Sequence, residues 1–235
     1  MTINFALLLL GSYLLGSVPA AYLAARWRRG IDIRQYGSGN VGAANILKTT
    51  SKRLALVVVI FDVGKGMITV WAAQLVGLDI VPQVAVGLAT IIGHNWPVFL
   101  RFSGGRGVLT TLGVAFFLPL TNGPLVPWGV VVGLVAVGIS LLITHHTPLG
   151  VGAGIAALPL VSWIAGEPIS MTWGFLAMFL IMVIRRLTAP KTSVTASVPS
   201  GELVLNRLLF DRDIRDGKAW IQQRPFKPEQ KQGKG

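Results

Sequence analysis

A run of sixty residues, from position 107 to position 166, contains no Asp, Glu, Lys or Arg. A soluble stretch of that length would carry about fifteen charged side chains, because roughly a quarter of the residues in soluble domains are charged. Turn-forming residues interrupt the run twice, at residues 121–124 and 144–148, which divides it into one short and two ordinary apolar helices. The run therefore predicts several membrane-spanning helices.

Further apolar segments extend this pattern to both sides of the run. The first has 23 residues without a charge, which is too long for the core of a signal peptide, and no basic residue precedes it. We predict an all-α, polytopic integral membrane protein with about seven transmembrane helices. The predicted spans outside the run are Ile3–Ala25, Leu54–Val76, Ile80–Leu100 and Ile169–Ile184, and the doubtful fourth span inside it is Val108–Leu120.

The charges of the chain predict its orientation. The formal net charge is +12, from 21 Lys and Arg against 9 Asp and Glu. With seven crossings, the connections near Asp79, Asn122 and Glu167 share one side with the N-terminus, and they contain no Lys or Arg. The positive-inside rule then places the N-terminus outside and the C-terminus in the cytoplasm. Treating Val108–Leu120 as a re-entrant segment would violate that rule, so we favour seven crossings.

The placement of the basic residues also predicts which partners the chain binds. Basic residues that flank spans are explained by topology and by anionic lipid headgroups, so we expect membrane lipids and no nucleic acid as partners. The chain has no Cys, which excludes disulfides and thiolate metal sites.

We divide the chain into a membrane-embedded domain, residues 1–187, and a basic cytoplasmic tail, residues 188–235. The tail is predicted to be partly disordered, or to form an amphipathic helix within Glu202–Trp220.

A polar, glycine-dense loop at residues 32–45 is the first candidate site. Its glycines allow backbone N–H groups to turn toward an anion. Neutral donors and basic side chains accompany them, so the loop suits a phosphate group. A flexible connecting loop of the same composition is the alternative. The residues concerned are Arg34, Gly37, Ser38, Gly39, Asn40, Gly42, Asn45 and Lys48.

A second glycine loop, residues 104–107, opens the predicted fourth helix on the same membrane face. The N-terminus of a helix offers unpaired N–H groups and the positive end of its dipole. Arg106 lies in this loop and can bind a phosphate with two hydrogen bonds. A tight turn with an arginine that reaches for the interface is the alternative.

Three side chains that can carry a charge near neutral pH fall inside predicted spans. Asp62 and Lys65 stand three positions apart and can neutralise each other on one helix face, although charges within a membrane are usually functional. His94 is either a general base or a hydrogen-bonding group, or it merely bonds a neighbouring carbonyl. His145 and His146 are adjacent with no carboxylate nearby, which makes a poor metal site, so no metal is expected.

These segments resemble bacterial acyl-phosphate-dependent glycerol-3-phosphate acyltransferases. The resemblance covers roughly residues 10 to 120 and is carried, in order, by residues 15–19, 32–45, 62–66, 93–97 with Phe99, and 104–108. It implies seven helices and a site that opens to the cytoplasm of a bacterial cell. It also implies transfer of a fatty acyl group from acyl phosphate to the 1-hydroxyl of glycerol 3-phosphate, giving lysophosphatidic acid, without a cofactor.

The resemblance also implies roles for individual residues. Ser38 is expected to hydrogen-bond or relay a proton and Arg106 to hold a phosphate, with His94 as a further catalytic candidate. No covalent Ser or Cys intermediate is needed, because phosphate is a good leaving group. The predicted substrate-binding residues are Arg34, Gly37, Gly39, Asn40, Gly42, Asn45, Lys48, Lys65, Gly104, Gly105 and Gly107.

The chain departs from the family pattern at several positions. Lys48 and Arg106 stand where the family usually has Arg and Lys, and the His and Asn of a cluster expected after the last helix have no counterpart around Arg185. A non-catalytic or altered-substrate paralogue that binds lipid or phosphate is therefore the alternative function. A transporter is disfavoured, because no internal repeat is visible. We interpret Arg28, Arg29 and Arg185 as residues that only set orientation.

Overall fold

The structure, a computed structural model, describes residues 2–123, 127–190 and 195–223. The predicted turn at residues 121–124 and the predicted tail at 188–235 therefore lie partly outside the described residues. Within the described ranges every regular element is helical, which confirms the predicted all-α class. The eleven α-helices there are α1 Thr2–Ser17, α2 Ala20–Arg29, α3 Ala43–Thr49, α4 Lys52–Leu75, α5 Ile80–Asn95, α6 Val108–Asn122, α7 Trp128–Thr144, α8 Thr147–Ile164, α9 Ile169–Leu187, α10 Ser200–Phe210 and α11 Gly217–Gln223.

Two of the predicted spans end or break earlier than expected, and proline explains both. The first span is divided between α1 and α2 at Val18–Pro19, because proline has no N–H to continue the helical ladder. The third span ends at Asn95 rather than at Leu100, since Pro97 disfavours helical geometry in the residue before it. Both breaks place a non-helical turn next to polar residues of the candidate site.

Close helix pairs build the bundle. Helix α1 packs along α5, α4 along α6, and α7 along α8. Glycines permit these approaches: a methyl group at Gly16 of α1 would overlap the Thr90 carbonyl of α5, and one at Gly113 of α6 would overlap the Val63 carbonyl of α4. Small residues at helix contacts are typical of membrane bundles, where packing rather than exclusion of water drives association.

The lengths of the helices bear on the number of crossings. Among the described residues, four helical segments are long and apolar enough to span a membrane, namely Ile3–Arg29, Lys52–Leu75, Thr147–Ile164 and Ile169–Leu187. Helices α5, α6 and α7 have 16, 15 and 17 residues, somewhat fewer than the roughly 20 that cross the hydrocarbon. The count of seven crossings and the orientation stay predictions.

The described part of the tail packs against the bundle through α10, which contacts α8 and α9. Arg207 of α10 donates to the Leu187 carbonyl at 2.6 Å and pairs with Asp213 at 2.7 Å. The segment Glu202–Trp220 is not one continuous helix, because Asp211 adopts a left-handed conformation with φ of +56° and ends α10; the amphipathic or partly disordered character of the tail stays a prediction. The tail therefore reaches back to the end of α9 and the residues beside it.

Candidate active site

A narrow cleft brings together all five sequence segments that carry the family resemblance. Residues 16–21 form one wall at the break between α1 and α2. The other lining residues come from the first glycine loop, from α4, from the end of α5 and from the second glycine loop, and they are Val41, Asp62, His94, Pro97, Gly104 and Gly105. Segments that are far apart in the chain thus converge on one place.

The first glycine loop is organised from within by Asn45, whose side chain is buried. Its amide nitrogen is within hydrogen-bond distance of the carbonyls of Ile33, Tyr36 and Asn40 at 3.3, 2.9 and 3.1 Å, and its oxygen accepts from the Ser38 N–H at 3.1 Å. An amide nitrogen has two N–H donors, so contacts with three carbonyls use its whole donor capacity. The structure gives Asn45 a role in shaping the loop, and its contact with substrate stays a prediction.

Ser38 lies at the turn that Asn45 holds. Its flanking glycines, Gly37 and Gly39, have φ values of +56° and +66°, a left-handed conformation that residues with a Cβ rarely adopt. A methyl group at Gly37 would also overlap the Asn45 side-chain oxygen. The Ser38 hydroxyl is half-buried and accepts from the Asn40 N–H at 3.4 Å. The two glycines thus permit a turn that holds Ser38 in a defined position.

The basic residues predicted beside this loop differ in their surroundings. Arg34 is exposed and makes a bidentate ion pair with Asp32, with nitrogen–oxygen distances of 2.9 and 2.6 Å. The hydrogen bond from Arg34 lowers the pKa of Asp32, since it favours the carboxylate form. Lys48 is exposed on α3. Arg34 is therefore occupied by a carboxylate in this conformation, and the substrate contacts of both residues stay predictions.

Asp62, Lys65 and His94 form one cluster, of which Asp62 and His94 line the cleft. The Lys65 Nζ lies 2.9 Å from Asp62 Oδ1, 2.8 Å from His94 Nδ1 and 3.0 Å from the Gly16 carbonyl oxygen. Asp62 and Lys65 are each only 2% exposed. The predicted neutralisation of Asp62 by Lys65 is confirmed. The ammonium group is buried and has three protein partners, and the substrate contact predicted for Lys65 stays a prediction.

The second glycine loop packs tightly against the end of α5. The Gly105 N–H donates to the His94 carbonyl at 3.1 Å, and a methyl group at Gly105 would overlap His94 Nε2 and lie 2.6 Å from the Val41 carbonyl oxygen. Gly107 has a φ of +71° and caps α6, and a methyl group there would lie 2.5 Å from Asn95 Oδ1. Close neighbours therefore require glycine at positions 105 and 107, and the positive φ of Gly107 favours glycine there as well.

Arg185 is the residue that sequence reasoning missed. Its Nε donates to the Gly105 carbonyl at 2.9 Å and its Nη2 to the Gly104 carbonyl at 2.8 Å, and the residue is 3% exposed. The interpretation that Arg185 only sets orientation is wrong, because its guanidinium group is buried against the second loop. No local pattern indicates such a contact, since the loop is 80 residues earlier in the chain.

Arg106 itself faces the tail. Its Nε lies 2.9 Å from Asp211 Oδ1, and its Nη1 donates to the Arg185 carbonyl at 3.3 Å. The two side chains of the ion pair are 18% and 20% exposed. The carboxylate of Asp211 in the tail is thus paired with Arg106, the residue that the sequence predicts to bind a phosphate.

Comparison with known proteins connects this geometry with a family. The family model described as "Glycerol-3-phosphate acyltransferase" matches residues 6–192. The chain belongs to this acyltransferase family. The matched residues include every segment that lines the cleft and the Arg185 that holds its second loop, so the candidate site lies within the family domain.

Sequences of other members of this acyltransferase family align with most of this chain. Glycerol-3-phosphate acyltransferase 4 of Dehalococcoides mccartyi (strain CBDB1) is 48% identical, over 92% of this chain and 93% of its own. A relative from Endomicrobium trichonymphae is 33% identical over 79% of this chain and 90% of its own. Because the first match covers 92% of the chain, it continues past residue 187 into the tail.

A solved structure shares the fold of this acyltransferase-family chain. The crystal structure of PlsY (YgiH), described as an integral membrane glycerol 3-phosphate acyltransferase in its glycerol 3-phosphate form, superposes with a TM-score of 0.71. It is 27% identical and covers 93% of this chain and 98% of its own. The lysophosphatidic acid form gives a TM-score of 0.69 at 29% identity. Together with the long apolar helices, this likeness confirms the predicted class, an all-α integral membrane protein.

Proposed function

We propose that this chain transfers a fatty acyl group from acyl phosphate to the 1-hydroxyl of glycerol 3-phosphate, giving lysophosphatidic acid at the bacterial plasma membrane. The convergence of the five family segments on one cleft carries the proposal. Family membership supports the reaction class, because the relatives are named glycerol-3-phosphate acyltransferases. The solved relatives in glycerol 3-phosphate and lysophosphatidic acid forms support the acceptor and the product.

Both proposed substrates carry phosphate, and the two glycine loops suit that chemistry. The second loop places Arg106 just ahead of the N-terminus of α6, where unpaired backbone N–H groups and the helix dipole favour an anion. Arginine adds a planar guanidinium group that binds phosphate oxygens with two parallel hydrogen bonds. Arg106 is therefore the proposed phosphate-binding cation of the site.

The reaction needs positioning more than a strong nucleophile. The 1-hydroxyl oxygen forms a bond to the acyl carbonyl carbon, the bond from that carbon to the phosphate oxygen breaks, and the hydroxyl proton ends on the departing inorganic phosphate. Ser38 is proposed to orient the hydroxyl and relay its proton. Donors directed at the developing oxyanion lower the barrier further, and holding two substrates together contributes through entropy. No cofactor takes part in this scheme.

The test is a turnover assay on the purified full-length protein in lipid nanodiscs. Acyl phosphate and glycerol 3-phosphate should give lysophosphatidic acid, whereas acyl-coenzyme A as the comparison donor should not. Ser38→Ala and Arg106→Ala should each lower turnover at least a hundredfold, as expected for groups that act on the transition state. Glycerol 3-phosphate binding without turnover by the wild-type protein would contradict the proposal and favour the non-catalytic alternative.

A further inference from the structure

The contacts among Asp62, Lys65 and His94 indicate which nitrogen of the His94 ring carries its proton. A lysine ammonium group has three N–H donors and no acceptor. The Lys65 Nζ has three partners at hydrogen-bond distance, an oxygen of Asp62 at 2.9 Å, the Gly16 carbonyl at 3.0 Å and His94 Nδ1 at 2.8 Å. A carboxylate and a carbonyl only accept, so neither of these two partners can donate a hydrogen bond to the lysine.

The remaining contact of Lys65 is with the His94 ring, and the charge of the lysine decides the direction of that hydrogen bond. Asp62 and Lys65 are buried together, and an unpaired carboxylate in such a place would cost several kcal/mol. Lys65 therefore carries its proton as the counter-ion of Asp62. Because its ammonium group has no lone pair, His94 Nδ1 must accept the hydrogen bond from Lys65, and the ring proton of the neutral imidazole must sit on Nε2.

The protonated nitrogen faces the reaction cleft. His94 lines the cleft with Gly105, and a methyl group at Gly105 would overlap His94 Nε2 itself. The Val41 carbonyl of the first glycine loop borders the same space, 2.6 Å from that hypothetical methyl group. The Nε2–H of His94 therefore lies between the two glycine loops, where the substrates of the proposed reaction would meet.

We propose that Asp62 and Lys65 are positioning residues that hold His94 as the Nε2–H tautomer, so that His94 donates a hydrogen bond to the acyl phosphate instead of acting as a general base. The inference rests on the proposed function, which it deepens. A ring with its Nε2 protonated and its Nδ1 bound to an ammonium group has no free lone pair for the hydroxyl proton. Donation to the acyl carbonyl or phosphate oxygen stabilises the charge that develops there.

The role of Lys65 can be separated from simple packing, because Asp62 Oδ1 lies 3.4 Å from His94 Nδ1. When Lys65 is replaced by Met, the carboxylate becomes the nearest partner of Nδ1, and a carboxylate can only accept. At alkaline pH, where the imidazole is neutral, the ring proton then moves to Nδ1 and Nε2 turns from donor to acceptor, whereas at lower pH the ring becomes the imidazolium counter-ion of Asp62. The Lys65→Met variant is expected to invert the tautomer.

Nitrogen-15 NMR of labelled histidine reads the tautomer directly and needs no turnover. The protein has three histidines, and His145→Gln with His146→Gln leaves His94 as the single signal. In nanodiscs at alkaline pH, where the ring is neutral, the wild-type background should show a protonated Nε2 and an unprotonated Nδ1, and Lys65→Met should exchange the two. A protonated Nδ1 in the wild-type background, or an unchanged tautomer in Lys65→Met, would overturn the inference even if the acyltransferase activity is fully present.

A double-mutant cycle then tests the link to catalysis. Glutamine has an amide N–H at about the reach of His Nε2 and cannot change tautomer, so His94→Gln should retain at least a tenth of kcat, whereas His94→Leu should lose about a hundredfold. Lys65→Met should lower kcat about 10- to 100-fold with an unchanged KM for glycerol 3-phosphate. In the His94→Gln background the same lysine change should cost less than threefold.

Two outcomes of the cycle contradict the inference. Equal losses from Lys65→Met in both backgrounds would show that the lysine acts through the fold and not through the ring. Equal, complete losses in His94→Gln and His94→Leu, in folded and monodisperse protein, would assign His94 a general-base role. Absence of turnover in the wild-type protein would instead contradict the proposed function, and the NMR result would still stand.

Discussion

Replacement of Arg185 by Met tests whether the second glycine loop is held in place by the last membrane helix. Methionine keeps much of the apolar volume of the arginine stem but removes its donors. The carbonyls of Gly104 and Gly105 then lose partners at 2.8 and 2.9 Å. A buried carbonyl without a partner costs about 1 to 3 kcal/mol.

The expected magnitude follows from these two contacts. The loop can relax and gain water at the face of the membrane, so we take the lower part of the range, about 2 to 3 kcal/mol for both carbonyls together. If that free energy is lost from the positioned transition state, kcat/KM falls about 30- to 150-fold. Arg185→Lys, whose compact ammonium group reaches one of the two carbonyls, should lose about five- to tenfold.

The assay is the initial rate of lysophosphatidic acid formation in nanodiscs, with thermal unfolding and size-exclusion chromatography as checks on the fold. Arg28→Met is the matched control, because Arg28 is exposed and does not line the cleft, and its kcat/KM should equal that of the wild type. A folded Arg185→Met protein with kcat/KM within threefold of the wild type would refute the reasoning.

Three further predictions follow from the site and the topology. Asp211→Asn should lower the KM for glycerol 3-phosphate two- to fivefold, since Asp211 competes with phosphate for Arg106 and a partly exposed ion pair contributes about 1 kcal/mol. A raised KM in steady-state kinetics would contradict this. Gly105→Ala should lower kcat/KM at least tenfold, because the methyl group overlaps the histidine ring that lines the cleft and overpacking costs about 1 to 3 kcal/mol; an unchanged rate would show that the loop yields freely. In this cysteine-free chain, a membrane-impermeant thiol reagent added to intact cells should label Asp79→Cys but not Lys48→Cys, and the reverse pattern would place the N-terminus in the cytoplasm.

Much of the helical architecture could be predicted from the sequence, because uncharged runs and prolines act locally. The predicted span Leu54–Val76 lies within two residues of α4 at each end. The span Val108–Leu120 begins where α6 begins, since the glycine loop before it cannot continue the helix. The errors also have local causes, such as the end of α5 before Pro97.

The contacts that complete the site could not be predicted in the same way. The pairing of Asp62 with Lys65 was visible from their spacing on one helix, but the contact of Lys65 with His94 joins residues 29 positions apart. The pairs Arg185 with Gly105 and Arg106 with Asp211 join residues 80 and 105 positions apart. The periodicity of a sequence does not reveal contacts between such distant residues, because these contacts depend on how the helices pack against one another.

The spacing of Asp62 and Lys65 also bears on how the membrane protein is made. The two residues pair within α4 at 2.9 Å, whereas the other partners of the lysine come from α1 and α5. A lone charge opposes insertion of a helix by about 2.5 to 3.5 kcal/mol at its centre, and an internal pair reduces the net charge that must enter the lipid. Helix α4 therefore carries its own counter-ion into the membrane before α5, which contains His94 and follows α4 in the chain, has been made.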